Sequence, residues 1–132
     1  MLGVSCVIPA YNEAERIAGV LEAVTRQPLI NEVIVVDDGS TDETSKVAAQ
    51  FRQVHLFIKP NNQGKSGAVC DGVRTSRGSI ILLLDADLTG LSHEHLTDLI
   101  LPVAEGSADF SISLRGNAPT SMEMDSARLC FR

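Results

Sequence analysis

The sequence predicts an α/β fold, a mostly parallel sheet with helices on both faces, and two observations predict it. Four short apolar runs, rich in β-branched residues, alternate with stretches of helical spacing. Three of those runs end in polar loops, at Pro9-Ala10-Tyr11-Asn12-Glu13, Asp37-Asp38-Gly39-Ser40 and Asp85-Ala86-Asp87. The alternation calls for right-handed crossovers and a Rossmann-like core. In such a sheet the loops leaving the carboxyl ends converge on one edge, where ligands bind.

Residues 4–8 read as a first strand, which Pro9 should end because it has no ladder donor. Ile17, Val20, Leu21 and Val24 then recur at i, i+3, i+4 and i+7, an apolar helical stripe that stops before Pro28. Residues 32–36 form a second strand, with Gly39 supplying a tight turn beyond it. Ser40 and Glu43 have capping-box spacing and should open a helix that carries Val47, Ala48 and Phe51 inward. Residues 55–58 make a short third strand, followed by a Pro-Asn-Asn loop and a helix of small residues over 64–76.

Residues 80–84, Ile-Ile-Leu-Leu-Leu, read as a strand buried on both faces. Leu96, Leu99, Ile100 and Val103 again show helical spacing, with Pro102 placed to end or bend that helix. Alternation over 109–114 suggests a fifth strand nearer the sheet edge, and 116–119 a turn. One α/β domain is therefore expected over 1–115, with 116–132 an irregular or short helical tail.

At 132 residues the chain is long enough for one domain with a core and too short for two ordinary ones. A net charge of −6 argues against a broad nucleic-acid surface, so any polyanionic ligand must be met locally. Three cysteines without close spacing indicate neither a disulfide framework nor a zinc site, which suits a reducing cytoplasm. Cys6 and Cys70 read as core residues. The amino terminus lacks a basic segment before its apolar run, and no run is long enough to span a bilayer; peripheral membrane contact is compatible with both.

Asp85 and Asp87 carry the most chemistry. Two carboxylates separated by a small residue at the end of a buried strand can hold a divalent cation against a diphosphate, because hard oxygen ligands suit Mg²⁺ or Mn²⁺. As a plain alternative they begin a polar loop. Lys65 follows a flexible Asn-Gln-Gly loop at a helix start, where an ammonium and backbone N–H groups together offset phosphate charge. Gly64-Lys65-Ser66 is not a P-loop, since Lys59 stands where that pattern needs glycine. His93 and His95 are poor partners for Mg²⁺ and fit helix-surface roles.

Four segments in order, Val7-Ile8-Pro9-Ala10-Tyr11-Asn12-Glu13, Val35-Val36-Asp37-Asp38-Gly39-Ser40-Thr41-Asp42, Asn62-Gln63-Gly64-Lys65 and Leu84-Asp85-Ala86-Asp87-Leu88, resemble the motifs of GT-A glycosyltransferases of the family 2 type. The resemblance spans residues 4 to about 115 and implies a nucleoside-diphosphate sugar donor, UDP- or GDP-linked, with Mg²⁺ or Mn²⁺. It implies that Pro9, Ala10, Tyr11 and Glu13 form the floor for base and ribose. Tyr11 would stack, and Glu13 would accept from ribose hydroxyls. Asp38 is the better candidate of its pair to bond the base, with Asp37 structural. Lys65 would meet the diphosphate, and Asp85, Ala86 and Asp87 would form the DXD metal and donor motif, with Asp87 the more direct ligand. Relatives acting on lipid phosphates often carry Gln two residues after the second Asp, whereas this chain has Thr89. Nothing in 115–132 matches the family's acceptor-side base, and family members run considerably longer. The expectation is a donor-binding half.

Two other readings stand beside this one. A non-catalytic nucleotide-binding or assembly module would keep the same donor loops and could self-associate through apolar surface near its carboxyl end. A receiver domain also uses paired and single Asp residues after strands, but it needs a later Lys, and no Lys occurs beyond Lys65.

Overall fold

The computed structural model describes residues 3–112 and 128–131. In chain order the elements are β1 (Val4–Ala10), α1 (Ile17–Thr25), β2 (Glu32–Asp37), α2 (Thr44–Ala49), β3 (Val54–Ile58), α3 (Lys65–Thr75), β4 (Ile80–Leu84), α4 (His93–Ala104), β5 (Phe110–Ile112) and β6 (Arg128–Phe131). Among the described residues they build one six-stranded sheet in the order β3-β2-β1-β4-β6-β5. The first four strands are parallel, and β6 lies antiparallel between β4 and β5.

Burial follows the pleat. Cys6, Ile8 and Ala10 of β1, Val35 of β2, Leu82 and Leu84 of β4 and Cys130 of β6 join one core with Ile17, Leu21 and Val24 of α1 and Leu96 and Ile100 of α4. Ile34 and Val36 of β2 turn to the opposite face and pack on Ala68 of α3. That helix lies flush on the sheet: a Cβ at Gly72 would stand 2.4 Å from Val7 Cγ1 and 3.3 Å from Val36 Cγ2. Every residue of β1 is buried, as a central strand covered on both faces requires.

Several expectations are corrected. Pro9 lies inside β1, which pairs with β2 as far as Ala10↔Asp37 but with β4 only as far as Val7↔Leu83. Ala10 O accepts from Asp38 N at 2.8 Å on the β2 side, so by alternation Pro9 turns toward the β4 side, where the ladder has already ended. The Ser40–Glu43 capping box does not form. Glu43 is the N-cap of α2 without a side-chain cap, and the Ser40 hydroxyl accepts from Asn12 N at 2.9 Å instead. Residues 128–131, expected within an irregular or helical tail, form β6, and Cys130 packs into the core. Cys70 is exposed, because α3 buries its Ala68 and Gly72 edge. Pro102 falls late in α4, which ends two residues later. Residues 113–114 and the turn at 116–119 lie outside the described residues.

Candidate functional site

The carboxyl ends of β1, β2 and β4 open on a single cleft of about 310 Å³. Its walls are Pro9, Ala10, Tyr11 and Glu13 from the loop after β1, Asp38 after β2, Asn62, Gly64, Lys65 and Ala68 around the start of α3, and Asp85, Ala86 and Asp87 after β4. All nine residues singled out from the sequence line it. Asn62, Gly64 and Ala68 are additions. Asn62 and Gly64 belong to the Asn62-Gln63-Gly64-Lys65 motif, in which Lys65 alone carries charge, and Ala68, one turn into α3, carries no chemical signal.

The loops are tied together by their own polar groups. Asn12 adopts φ 52°, a left-handed conformation that Asn tolerates, and its carboxamide oxygen accepts from Thr41 N at 2.8 Å. Glu13 N donates to Thr44 Oγ1 at 2.9 Å and Ala14 N to Asp42 Oδ2 at 3.3 Å. The hydrogen bond from the Thr44 hydroxyl holds the Asp42 carboxyl below the usual carboxylate range. The first two loops therefore form one unit.

Asp38 is buried, and its two oxygens accept from Gln63 N at 3.0 Å and Gly64 N at 2.9 Å. Asp37 accepts from Ser40 N at 2.9 Å, a turn-closing contact. Gly39, at φ 74°, has the Asn61–Asn62 backbone so close that a Cβ would stand 2.6 Å from Asn62 N. The acidic end of β2 thus grips the loop that delivers Lys65. Lys59 pairs with Asp71 at 2.8 Å and ties the far side of α3 to the end of β3.

Lys65, half-exposed, forms an ion pair with Asp85, whose side chain is buried. Two residues on, Asp87 Oδ1 is buried and has no hydrogen-bond partner. Glu13, paired with Arg16 at 2.9 Å, faces this end of the cleft. Burial pushes the Glu13 carboxyl up; Arg16 opposes this, and the charges of Asp87 and Asp42 add to it. Tyr11 leaves 44% of its surface open at the cleft.

Among the described residues no three His, Cys, Asp or Glu side chains group closely enough to hold an ion by themselves. An orphaned carboxylate oxygen beside a second carboxylate nonetheless fits a hard divalent cation that keeps waters or ligand oxygens, as Mg²⁺ and Mn²⁺ do. His93 and His95 stand away from the cleft. His95 and Ser92 exchange backbone and side-chain hydrogen bonds at the start of α4, and His93 meets the buried Gln27.

A family model described as Glycosyl transferase family 2 matches residues 5–122. A dolichyl-phosphate beta-glucosyltransferase of Homo sapiens is 43% identical, the match covering 63% of this chain and 30% of that protein. Glycosyltransferase AglE of Haloferax volcanii is 42% identical, over 64% of this chain and 30% of its own. The chain thus spans under a third of the length of these curated relatives. Glucosyl-3-phosphoglycerate synthase of Mycobacterium tuberculosis, solved with Mn²⁺, UDP and glucosyl-3-phosphoglycerate, superposes with TM-score 0.77 at 26% identity, covering 87% of this chain and 45% of that one. The same enzyme solved with phosphoglyceric acid gives TM-score 0.83 over 98% of this chain and 56% of that one at 22% identity, a likeness of fold.

Proposed function

The chain belongs to glycosyl transferase family 2, with the GT-A fold, and from that membership we propose that it carries the donor-binding part of a sugar transferase using a nucleoside diphosphate sugar and a divalent cation. The observation that carries the reading is the convergence of an exposed aromatic ring, an ammonium and an unpartnered carboxylate oxygen on one cleft. A relative of the same fold was solved with Mn²⁺ and UDP, which supports UDP as the first donor to test.

In this reading Tyr11 offers its face to the base and Glu13 accepts from ribose hydroxyls. Asp38 holds the 63–64 backbone so that Lys65 reaches the diphosphate, and Ala86, with no bulk, lets a ligand approach between the two Asp residues. Asp87, with Asp85 beside it, would hold the cation, which when bound supplies positive charge against the departing diphosphate. Lys65 contributes to the same end.

Calorimetry on the whole chain tests this directly. UDP with Mn²⁺ should bind saturably, and Asp87→Asn should remove the metal-dependent share. Absence of binding by UDP, GDP and their sugars with Mn²⁺ present overturns the reading. Binding with no transfer to any acceptor would favour a nucleotide-binding module.

A further inference from the structure

The Lys65–Asp85 ion pair places an ammonium on one of the two carboxylates assigned above to the cation. We propose that Lys65 is a charge gate at this site: it opposes entry of the cation alone and favours the diphosphate, so that the two are admitted together. The inference rests on the cleft being a nucleoside diphosphate and cation site.

The geometry separates a fixed backbone from a movable head group. Lys65 opens α3, whose start is gripped by Asp38 through Gln63 N and Gly64 N and whose body is set by the close contact of Gly72 with Val7. Its side chain, half-exposed on a flexible four-carbon stem, can change partners without moving the helix. Asp85, by contrast, is buried and cannot follow.

Charge then dictates the sign of each effect. Asp85, Asp87 and Lys65 together carry one net negative charge, and without Lys65 they would carry two. A divalent ion arriving alone meets a weaker attraction and stands near an ammonium in a partly buried cleft, where like charges repel more strongly than in water. A diphosphate arriving alone meets the opposite situation, since Lys65 attracts it and the carboxylates repel it. When both arrive, the diphosphate draws the ammonium from Asp85 and leaves that carboxylate to the cation. The two ligands then help each other by a common factor, as linkage requires.

The test uses the whole chain with Lys65→Met, Lys65→Arg and Asp85→Asn. Mn²⁺ binding without nucleotide is read from the free-ion electron paramagnetic resonance signal, and UDP binding in EDTA by calorimetry. Lys65→Met should bind Mn²⁺ alone about five- to tenfold more tightly and UDP alone about tenfold more weakly, a coupling of ordinary size. Lys65→Arg, which keeps the charge, should track the parent on both. Asp85→Asn should bind UDP in EDTA more tightly, because it releases the ammonium. A Lys65 that only supports the fold would weaken both ligands on substitution, and an idle surface Lys would change neither; either result overturns the gate. If the parent binds UDP with Mn²⁺ yet Lys65→Met leaves Mn²⁺ affinity unchanged, the gate fails and the donor site stands. If the parent binds neither, both fail.

Discussion

Asp38 accepts the backbone amide of Gly64 at 2.9 Å, so a carboxylate at the end of β2 fixes the start of the helix that presents Lys65. Its other oxygen takes the amide of Gln63 at 3.0 Å. Asp38→Asn keeps one acceptor where two were used and removes the charge from both bonds, at a cost of about 1–3 kcal/mol. Urea unfolding should show that loss, and UDP affinity should fall with it because Lys65 is no longer held in place. Unchanged stability would mean that the two amides find other partners.

Asp87 should separate binding from stability. Its Oδ1 is buried without a hydrogen-bond partner, so neutralising the side chain removes a charge that the fold gains nothing from holding. Asp87→Asn should keep or raise Tm while lowering Mn²⁺-dependent UDP affinity at least about tenfold, roughly 1.4 kcal/mol. A fall of several degrees in Tm would contradict this assignment.

Two glycines predict opposite signs for the same substitution. Gly72→Ala drives a Cβ to 2.4 Å from Val7 Cγ1 and should cost about 1–3 kcal/mol by pushing α3 off the sheet. Gly19→Ala, within α1 and with nothing within 4 Å of the new Cβ, should stabilise by about 0.5–1 kcal/mol through helix propensity. Paired thermal melts check both.

Acid sensitivity should map in part to Glu32. Burial pushes its carboxyl up, but hydrogen bonds from the Ser5 hydroxyl and the Arg77 amide pull harder and leave it below its ordinary 4.5. A carboxylate depressed in the folded state adds stability that is fully present above its unfolded value and lost as pH falls through the folded one. Glu32→Gln should therefore lower stability at pH 7 by about 1 kcal/mol and flatten the loss below about pH 4.5. Denaturant midpoints measured from pH 3 to 7 would show an unchanged slope if Glu32 played no part.

The parallel core was legible because β1, β2 and β4 are short apolar runs bounded by polar loops and separated by helical stripes, and their carboxyl ends have one edge to share. That geometry also made the cleft legible, since Tyr11, Asp38 and Asp85 are far apart in sequence yet forced together. Local rules failed where tertiary contacts competed. The Ser40 hydroxyl had the spacing for a helix cap and was taken by the Asn12 amide. The box that does form uses Ser92 with His95, outside the Glu or Gln pattern. Pro9 stayed in its strand because the ladder it would have broken had already ended. In β6 four residues are too few for a period to show, and only pairing with β4 and β5 defines them.

The place of β6 in the sheet also sets an order of events during synthesis. Strands β1 to β4 and the helices between them come from the first 84 residues, so the parallel part of the sheet can assemble while later chain is still being made. Until residues 128–131 emerge, β4 is a bare edge with unpaired backbone groups, the kind of surface on which strands from other copies can pair. Covering that edge is therefore a race between β6 and strands of other copies, and slow translation across this interval should raise the share lost to aggregation.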